Sequence, residues 1–171
     1  MTKTIPINYK IKQFTFDMTQ QVLDLILDIQ TSEFGISITK DLQPDLMNIQ
    51  NFYQVGNGNF WCAFVEKTIV GTIGLLDIGN KQLALRKMFV RSNQRGTGIA
   101  KDLLNTAFAW AKQHGCSEIY LGTTEKFLAA HRFYEKTGFT LISDKQLPKT
   151  FPKMTVDTKF YMQNVDSYTF S

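Results

Sequence analysis

Residues 95–100, reading Arg95-Gly96-Thr97-Gly98-Ile99-Ala100, have the make-up of an anion cradle. Glycine lets a backbone approach a ligand closely and adopts dihedrals that other residues avoid. The start of a helix adds N–H groups without intrahelical acceptors and the positive end of a dipole. Such a turn, set between a strand and a helix, holds phosphate and in particular a pyrophosphate.

The flanking sequence supplies that setting. Residues 82–90 alternate like a strand, and residues 97–114 carry a helical stripe of Ile99, Leu103, Ala107, Trp110 and Ala111. Upstream, residues 7–14 predict a first strand. Asp17 is placed to cap a helix marked by Val22, Leu25, Ile26 and Ile29. Residues 31–40 read as a loop around Gly35. A second helix is expected over residues 42–52, with Pro44 in its first turn. Two further strands, 60–66 and 69–78, precede the strand 82–90, and Gly79-Asn80 serves as the hairpin connector. Downstream, the pattern predicts a strand at 117–123, a helix at 127–136 stopped by Gly138, and strands at 139–143 and 159–165. The result is one α/β domain over residues 1–171, with a mixed, mostly antiparallel sheet flanked by helices.

Two well-known phosphate loops do not fit. A nucleotide-triphosphate loop requires Gly-Lys-Ser/Thr, whereas Gly98 is followed by Ile99, Ala100 and Lys101. A dinucleotide fingerprint needs a third glycine where Lys101 stands, inside a repeated βαβ unit, and the strands before this turn form a meander instead.

Composition narrows the classes further. The net charge is +4, with an isoelectric point near 9.0, mild enough to suit a polyanionic small ligand. No block of like charge marks a nucleic-acid tail. Arg86, Lys87, Arg91 and Arg95 lie near the glycine turn, either as a solvated edge or as a phosphate-attracting patch. Cys62 and Cys116 lack metal-ligand spacing, and only two histidines are present, His114 and His131, so no metal is expected. Residues 1–14 lack a secretory apolar core, and no run has the length of a membrane span. A cytoplasmic protein with reduced thiols is expected, without nucleic-acid or membrane partners.

Arg95-x-x-Gly98-x-Ala100, just after Met88-Phe89-Val90, resembles the Arg/Gln-x-x-Gly-x-Gly/Ala signature of the GNAT family of acetyl-CoA-dependent N-acetyltransferases. Residues 129–139, AAHRFYEKTGF, resemble that family's closing motif of helix, Tyr-Glu-Lys-x-Gly-Phe and strand. The two motifs span residues 82–143 in the family's order.

The resemblance implies the GNAT fold, with acetyl-CoA as co-substrate in a wedge between splayed parallel strands 82–90 and 117–123. It implies pyrophosphate contacts from the backbone of Arg95, Gly96, Thr97, Gly98, Ile99 and Ala100. Met88, Phe89 and Val90 would offer backbone groups to pantetheine as a pseudo-strand. Tyr134 matches the tyrosine that protonates the departing thiolate in many members; without that role it is a buried aromatic on an amphipathic helix. The acceptor implied is an amine of a small molecule or peptide. Homodimers are common in the family, and the sequence marks no interface.

Two departures stand out. Phe127 occupies a position where the family often has asparagine against the cofactor. The strand 82–90 carries no Asp or Glu, so the base is open among Asp77, Glu66, Glu125 and a water relay. Glu33 and Asp41 are either surface residues or ammonium ligands. His131, one turn before Tyr134, reads either as an exposed helix residue or as one that contacts the same cleft, and residues 145–153 could form another wall of the site. An acyl-CoA-binding module without turnover, or transfer of a longer acyl group, are the alternative functions.

Overall fold

The computed structural model describes residues 8–33, 35 and 39–171. Seven strands form one sheet: β1 (Lys10–Gln13), β2 (Asn59–Val65), β3 (Thr68–Asp77), β4 (Gln82–Val90), β5 (Glu118–Thr123), β6 (Thr140–Ile142) and β7 (Lys159–Asn164). Their spatial order is β1-β2-β3-β4-β5-β7-β6, and only β4 and β5 run parallel. The helices are α1 (Thr19–Asp28), the one-turn α2 (Ile49–Phe52), α3 (Ile99–Gln113) and α4 (Leu128–Lys136).

Apolar packing covers both faces of the sheet. On one face, Ile99, Leu103, Leu104, Ala107, Phe108 and Ala111 of α3, with Tyr134 of α4, pack on Ile73, Leu75, Leu83 and Leu85. On the other, Val22, Leu25, Ile26 and Ile29 join Leu46, Ile49 and Tyr53 over Phe60, Cys62 and Ile69. Strand β3 serves both faces, so it reads as a nearly unbroken apolar run.

The meander and the strand Gln82–Val90 form as the alternation predicts. The first strand is shorter than expected, Lys10–Gln13, and Ile7 lies outside the described residues. Asp17 does not cap α1. It sits in a 3-10 turn, Phe16–Met18, accepting a hydrogen bond from Thr15, and the helix begins two residues later. The predicted loop after α1 instead begins as a wide helical turn, Ile29–Glu33; residues 34 and 36–38 lie outside the described residues.

The predicted helix over 42–52 is replaced by two 3-10 turns, Lys40–Leu42 and Pro44–Met47, and the short α2. Pro44 contributes no N–H, and Asn48 (φ −151°, ψ 56°) interrupts the helical dihedrals. The break turns Gln43 and Asp45 inward. There Tyr53 donates to Asp45 at 2.6 Å, Lys87 lies 3.6 Å from Asp45 and 2.6 Å from Gln43, and Gln43 exchanges hydrogen bonds with Gln30. A regular helix would leave these polar partners unmatched.

Both thiols are buried. Burial pushes the Cys62 thiol up to about 12 and raises that of Cys116, where Asp77 adds to the effect. A thiol reagent at neutral pH should therefore show no fast phase with the native protein and titrate both cysteines after denaturation. A fast native phase would show that one of these thiols is accessible.

Candidate functional site

Strands β4 and β5 stay paired over only three positions, Gln82↔Glu118, Leu83↔Ile119 and Ala84↔Tyr120. Beyond Ala84 they part, while β5 remains bonded to β7 as far as Thr123. The cause lies in β4. Arg86 faces Gly74 and Phe89 faces Thr72, so Lys87 and Met88 together oppose Ile73. This is a β-bulge, with Lys87 at φ +55° and its carbonyl accepting a hydrogen bond from the Thr72 hydroxyl at 2.7 Å. A bulge bends the strand that carries it. Here the bend leaves the β5-facing backbone edge of β4 without a strand partner.

The gap is a cleft of about 560 Å³. Its walls are Leu85 to Val90 on one side and Leu121 to Thr124 on the other. One end carries Arg95, Gly96, Gly98, Ala100 and Lys101, and Val156 and Asp157 contribute from the loop before β7. Phe127, Ala129, Ala130, Phe133 and Tyr134 bring in α4. The predicted residues Met88, Phe89, Val90, Arg95, Gly96, Gly98, Ala100 and Tyr134 thus come together on one cleft. Thr97 and Ile99 belong to the same turn without lining it. Thr97 donates to the Gln94 carbonyl at 2.5 Å, and Ile99 is buried in the core.

The glycine turn ends in a left-handed residue. Gly98 (φ +92°) is the N-cap of α3, so the helix begins at Ile99, two residues later than the periodicity predicts. The first helical N–H with an intrahelical partner is that of Asp102, bonded to the Gly98 carbonyl at 3.0 Å. The N–H groups of Ile99, Ala100 and Lys101 lie in the first turn, where an α-helix has no acceptor of its own for them. Gly98→Ala would force an L side chain into this conformation and should cost about 1–2 kcal/mol, read as a lowered melting temperature. An unchanged melting temperature would mean the turn relaxes freely.

The basic residues near this turn do not act as one patch. Arg95 pairs with Glu33 and donates to the Val90 carbonyl at 3.2 Å. Arg91 pairs with Asp28 at 3.2 Å. The Lys101 ammonium is bonded to the Thr169 carbonyl at 3.1 Å and lies over the Tyr168 ring. The charge available to an anion at the turn is therefore mostly that of the backbone dipoles.

Tyr134 is enclosed by Phe133, Phe139 and Tyr161. Burial alone holds its phenol well above the usual tyrosine range, so the hydroxyl keeps its proton. His131 is not exposed as the sequence predicts. It is 4% accessible, and its Nε2 lies 2.8 Å from the Thr124 carbonyl, tying α4 to the end of β5. Asp77, Glu66 and Glu125 do not line the cleft. Asp77 instead accepts the N–H groups of Asn57 and Gly79. Glu33 is taken up by Arg95, and Asp41 is exposed in its 3-10 turn.

Sequence reasoning missed Asp157, which reaches the cleft from a loop distant in the chain. The loop's proline punctuation points only to residues 145–153. Asp45, Gln43 and Gln30 were missed as well, because a predicted helix hid the inward turn.

The sequence profile of the Acetyltransferase (GNAT) family matches residues 23–139. The chain belongs to that family. A GNAT-family acetyltransferase from Staphylococcus aureus has a crystal structure that is 40% identical, with a TM-score of 0.89 over 92% of this chain and 99% of that one. An acetyltransferase from Streptococcus agalactiae is 30% identical, with a TM-score of 0.87 over 91% and 98%. The PaiA N-acetyltransferase of Thermoplasma acidophilum, crystallised in complex with coenzyme A, shares the fold at 16% identity and a TM-score of 0.71. Among curated proteins, N-acetylaspartate synthetase of Xenopus tropicalis is 39% identical over 57% of this chain and 37% of its own length. The mouse "Probable N-acetyltransferase family 8 member 5" is 36% identical over 60% of this chain and 47% of its own length. The chain thus spans less than half the length of these two relatives. As a GNAT-family chain it has the family's mixed sheet and parted parallel strands. No helix among the described residues is long and apolar enough to cross a membrane.

Proposed function

We propose that the protein transfers the acetyl group of acetyl-CoA to a primary amine by direct attack in a ternary complex. The observation that carries this reading is the parting of β4 and β5 after Ala84, over a cleft that ends in the glycine turn. The donor fits this chain's own geometry. A pyrophosphate matches the first-turn N–H groups of α3 and the open backbone of residues 95–100. The pantetheine amides match the unpaired edge of Met88, Phe89 and Val90, to which an extended ligand can add as a strand. Ala100 and Gly98 keep side chains small beside the turn, and Ala129 and Ala130 do the same on α4.

Tyr134 is the proton donor in this reading. Its hydroxyl stays protonated at any pH where the enzyme works, and the residue lines the cleft. A departing thiolate has a pKa of about 8.5, so a phenol hydrogen bond lowers its charge as the C–S bond breaks. The name of the Xenopus relative, N-acetylaspartate synthetase, favours a small-molecule acceptor over a protein one.

Acetyl-CoA is expected to raise the melting temperature, because a ligand bound only by the folded state stabilises it. An amine acceptor should then release CoA, detected with a thiol reagent, to which the buried cysteines contribute no fast background. Stabilisation without release on any amine would leave a binding module in place of an enzyme. If no CoA thioester shifted the melting temperature, the donor reading would be wrong.

A further inference from the structure

Among the four basic residues between positions 86 and 95, Arg86 differs from the rest. Arg91 is paired with Asp28, Arg95 with Glu33, and Lys87 with Asp45. Arg86 lines the same cleft and forms no ion pair among the described residues. Its guanidinium lies over the Phe52 ring, 5.6 Å from the centroid, and its Nη2 is 3.7 Å from the Met154 sulfur. An aromatic ring and a thioether hold the planar fork in place without neutralising it. A guanidinium held this way is suited to bind a carboxylate through two parallel hydrogen bonds.

Asp157 is the only carboxylate among the described residues that line the cleft. Its Oδ2 accepts the Met154 N–H at 3.0 Å. It also lies so close to β5 that a Cβ on Gly122 would come within 2.6 Å of it. Glycine at that position lets the carboxylate rest on the strand edge inside the cleft. Met154 thus touches both charged groups, which brings Arg86 and Asp157 to one end of the cleft. Val90, the last residue of β4 before the chain turns toward Arg95, lies about 13 Å from Arg86 along the strand, taking ~3.3 Å per residue.

We propose that the acceptor is a small amine that also carries a carboxylate, with Arg86 holding the carboxylate and Asp157 holding the ammonium and taking its proton. This rests on the acetyl-transfer reading. Asp157 removes one proton from the ammonium, and the freed nitrogen lone pair forms the C–N bond to the acetyl carbon. The C–S bond breaks and the sulfur takes the Tyr134 proton. The second nitrogen proton restores the phenol, and the proton on Asp157 passes to solvent. A polyamine fits this end poorly, because its further ammonium groups would face Arg86 and Lys87.

Electrostatics support the base role. Burial raises the Asp157 pKa above the usual carboxylate range, opposed by the Met154 N–H and by the charges of Arg86, Lys153 and Lys87. Turnover should therefore fall with decreasing pH as Asp157 protonates, at a pH above that of an ordinary aspartate. The charged groups acting on Asp157 are Arg86 and Lys87 from β4 and Lys153 from its own loop.

The test compares CoA release with aspartate and 4-aminobutyrate against ethanolamine and putrescine, using the full chain and saturating acetyl-CoA. The carboxylated amines should be preferred. Arg86→Gln should raise their KM about 10–100-fold, the loss of a hydrogen-bonded charge pair, with the KM for acetyl-CoA unchanged. Asp157→Asn should lower kcat and abolish the acidic limb of the pH profile. If Arg86→Gln failed to fold, Arg86→Lys would keep the charge without the fork and should still raise the acceptor KM. A preference for putrescine or ethanolamine would overturn the inference. So would an Arg86 variant that weakened all four amines equally. Acetyl-CoA stabilisation without a carboxylate preference would sink this inference alone, whereas no stabilisation by acetyl-CoA would sink the donor reading and this inference with it.

Discussion

Tyr134→Phe is expected to lower kcat about 100-fold, near the lower end of what a positioned general acid contributes. The lower end applies because a thiolate is already a fair leaving group at neutral pH. The substitution removes one oxygen and leaves the ring packed against Phe133, Phe139 and Tyr161. Melting temperature and acetyl-CoA affinity should therefore stay close to wild type. The position of the acidic limb in the pH profile should also be unchanged, because Tyr134 remains protonated throughout that range. Steady-state kinetics with a separate acetyl-CoA titration distinguish the outcomes. Turnover equal to wild type would remove the acid role. A parallel loss of affinity would make Tyr134 a binding residue.

Asp45→Ala carries the largest expected stability effect. Asp45 is 5% accessible, accepts the Tyr53 hydroxyl at 2.6 Å and sits 3.6 Å from the Lys87 ammonium. Burial lowers the Lys87 pKa, and the Asp45 charge is the main opposing influence. Removing Asp45 leaves a buried ammonium with Gln43 as its remaining hydrogen-bond partner, and leaves the Tyr53 hydroxyl without its acceptor. Breaking a buried pair from one side costs about 3–5 kcal/mol, which for a chain of this size lowers the melting temperature by about 10 °C. The double variant Asp45→Leu with Lys87→Met should recover much of that loss, because no charge is then left unpaired. A single-variant melting temperature equal to wild type would show that water reaches this network. Lys87 lies in the bulge that parts β4 from β5, so the single variant should also reduce turnover.

Much of the proposed donor site was legible in the sequence. Gly96, Gly98 and Ala100 mark the glycine turn through residue type alone, because only small or left-handed-tolerant residues suit it. The strand before it and the stripe of α3 follow from local periodicity; the strand forms where expected, and the helix begins two residues later. The helical pattern of residues 127–136 placed α4 within one residue of its observed start. These features are local: each depends on neighbours within a few positions in the chain.

The proposed acceptor end was not legible. The break at Pro44 and Asn48 that turns Asp45 inward occurs because Lys87 on β4 and Tyr53 just after α2 satisfy it, and propensity alone favoured a continuous helix. His131 has the polarity of a surface residue, yet it is buried against the Thr124 carbonyl and the Tyr161 ring. Of the four basic residues clustered in sequence, three are paired by acidic residues that the fold brings from α1, its following turn and the segment before α2. Only Arg86 is left without an ionic partner among the described residues.

The sequence by itself determined the order of elements, the glycine turn before α3 and the family. Hydrophobic period and glycine placement are properties of short segments, and each segment carries its own signal. The resemblance already named the two strands that part; the tertiary structure alone decided at which residue they part and which charges face the opening. The bulge at Lys87 and Met88, the approach of Asp157 to Gly122 and the isolation of Arg86 all join residues far apart in the chain. Pairings of that kind are fixed by how buried charges and backbone groups find partners across the folded molecule, and no local pattern encodes them.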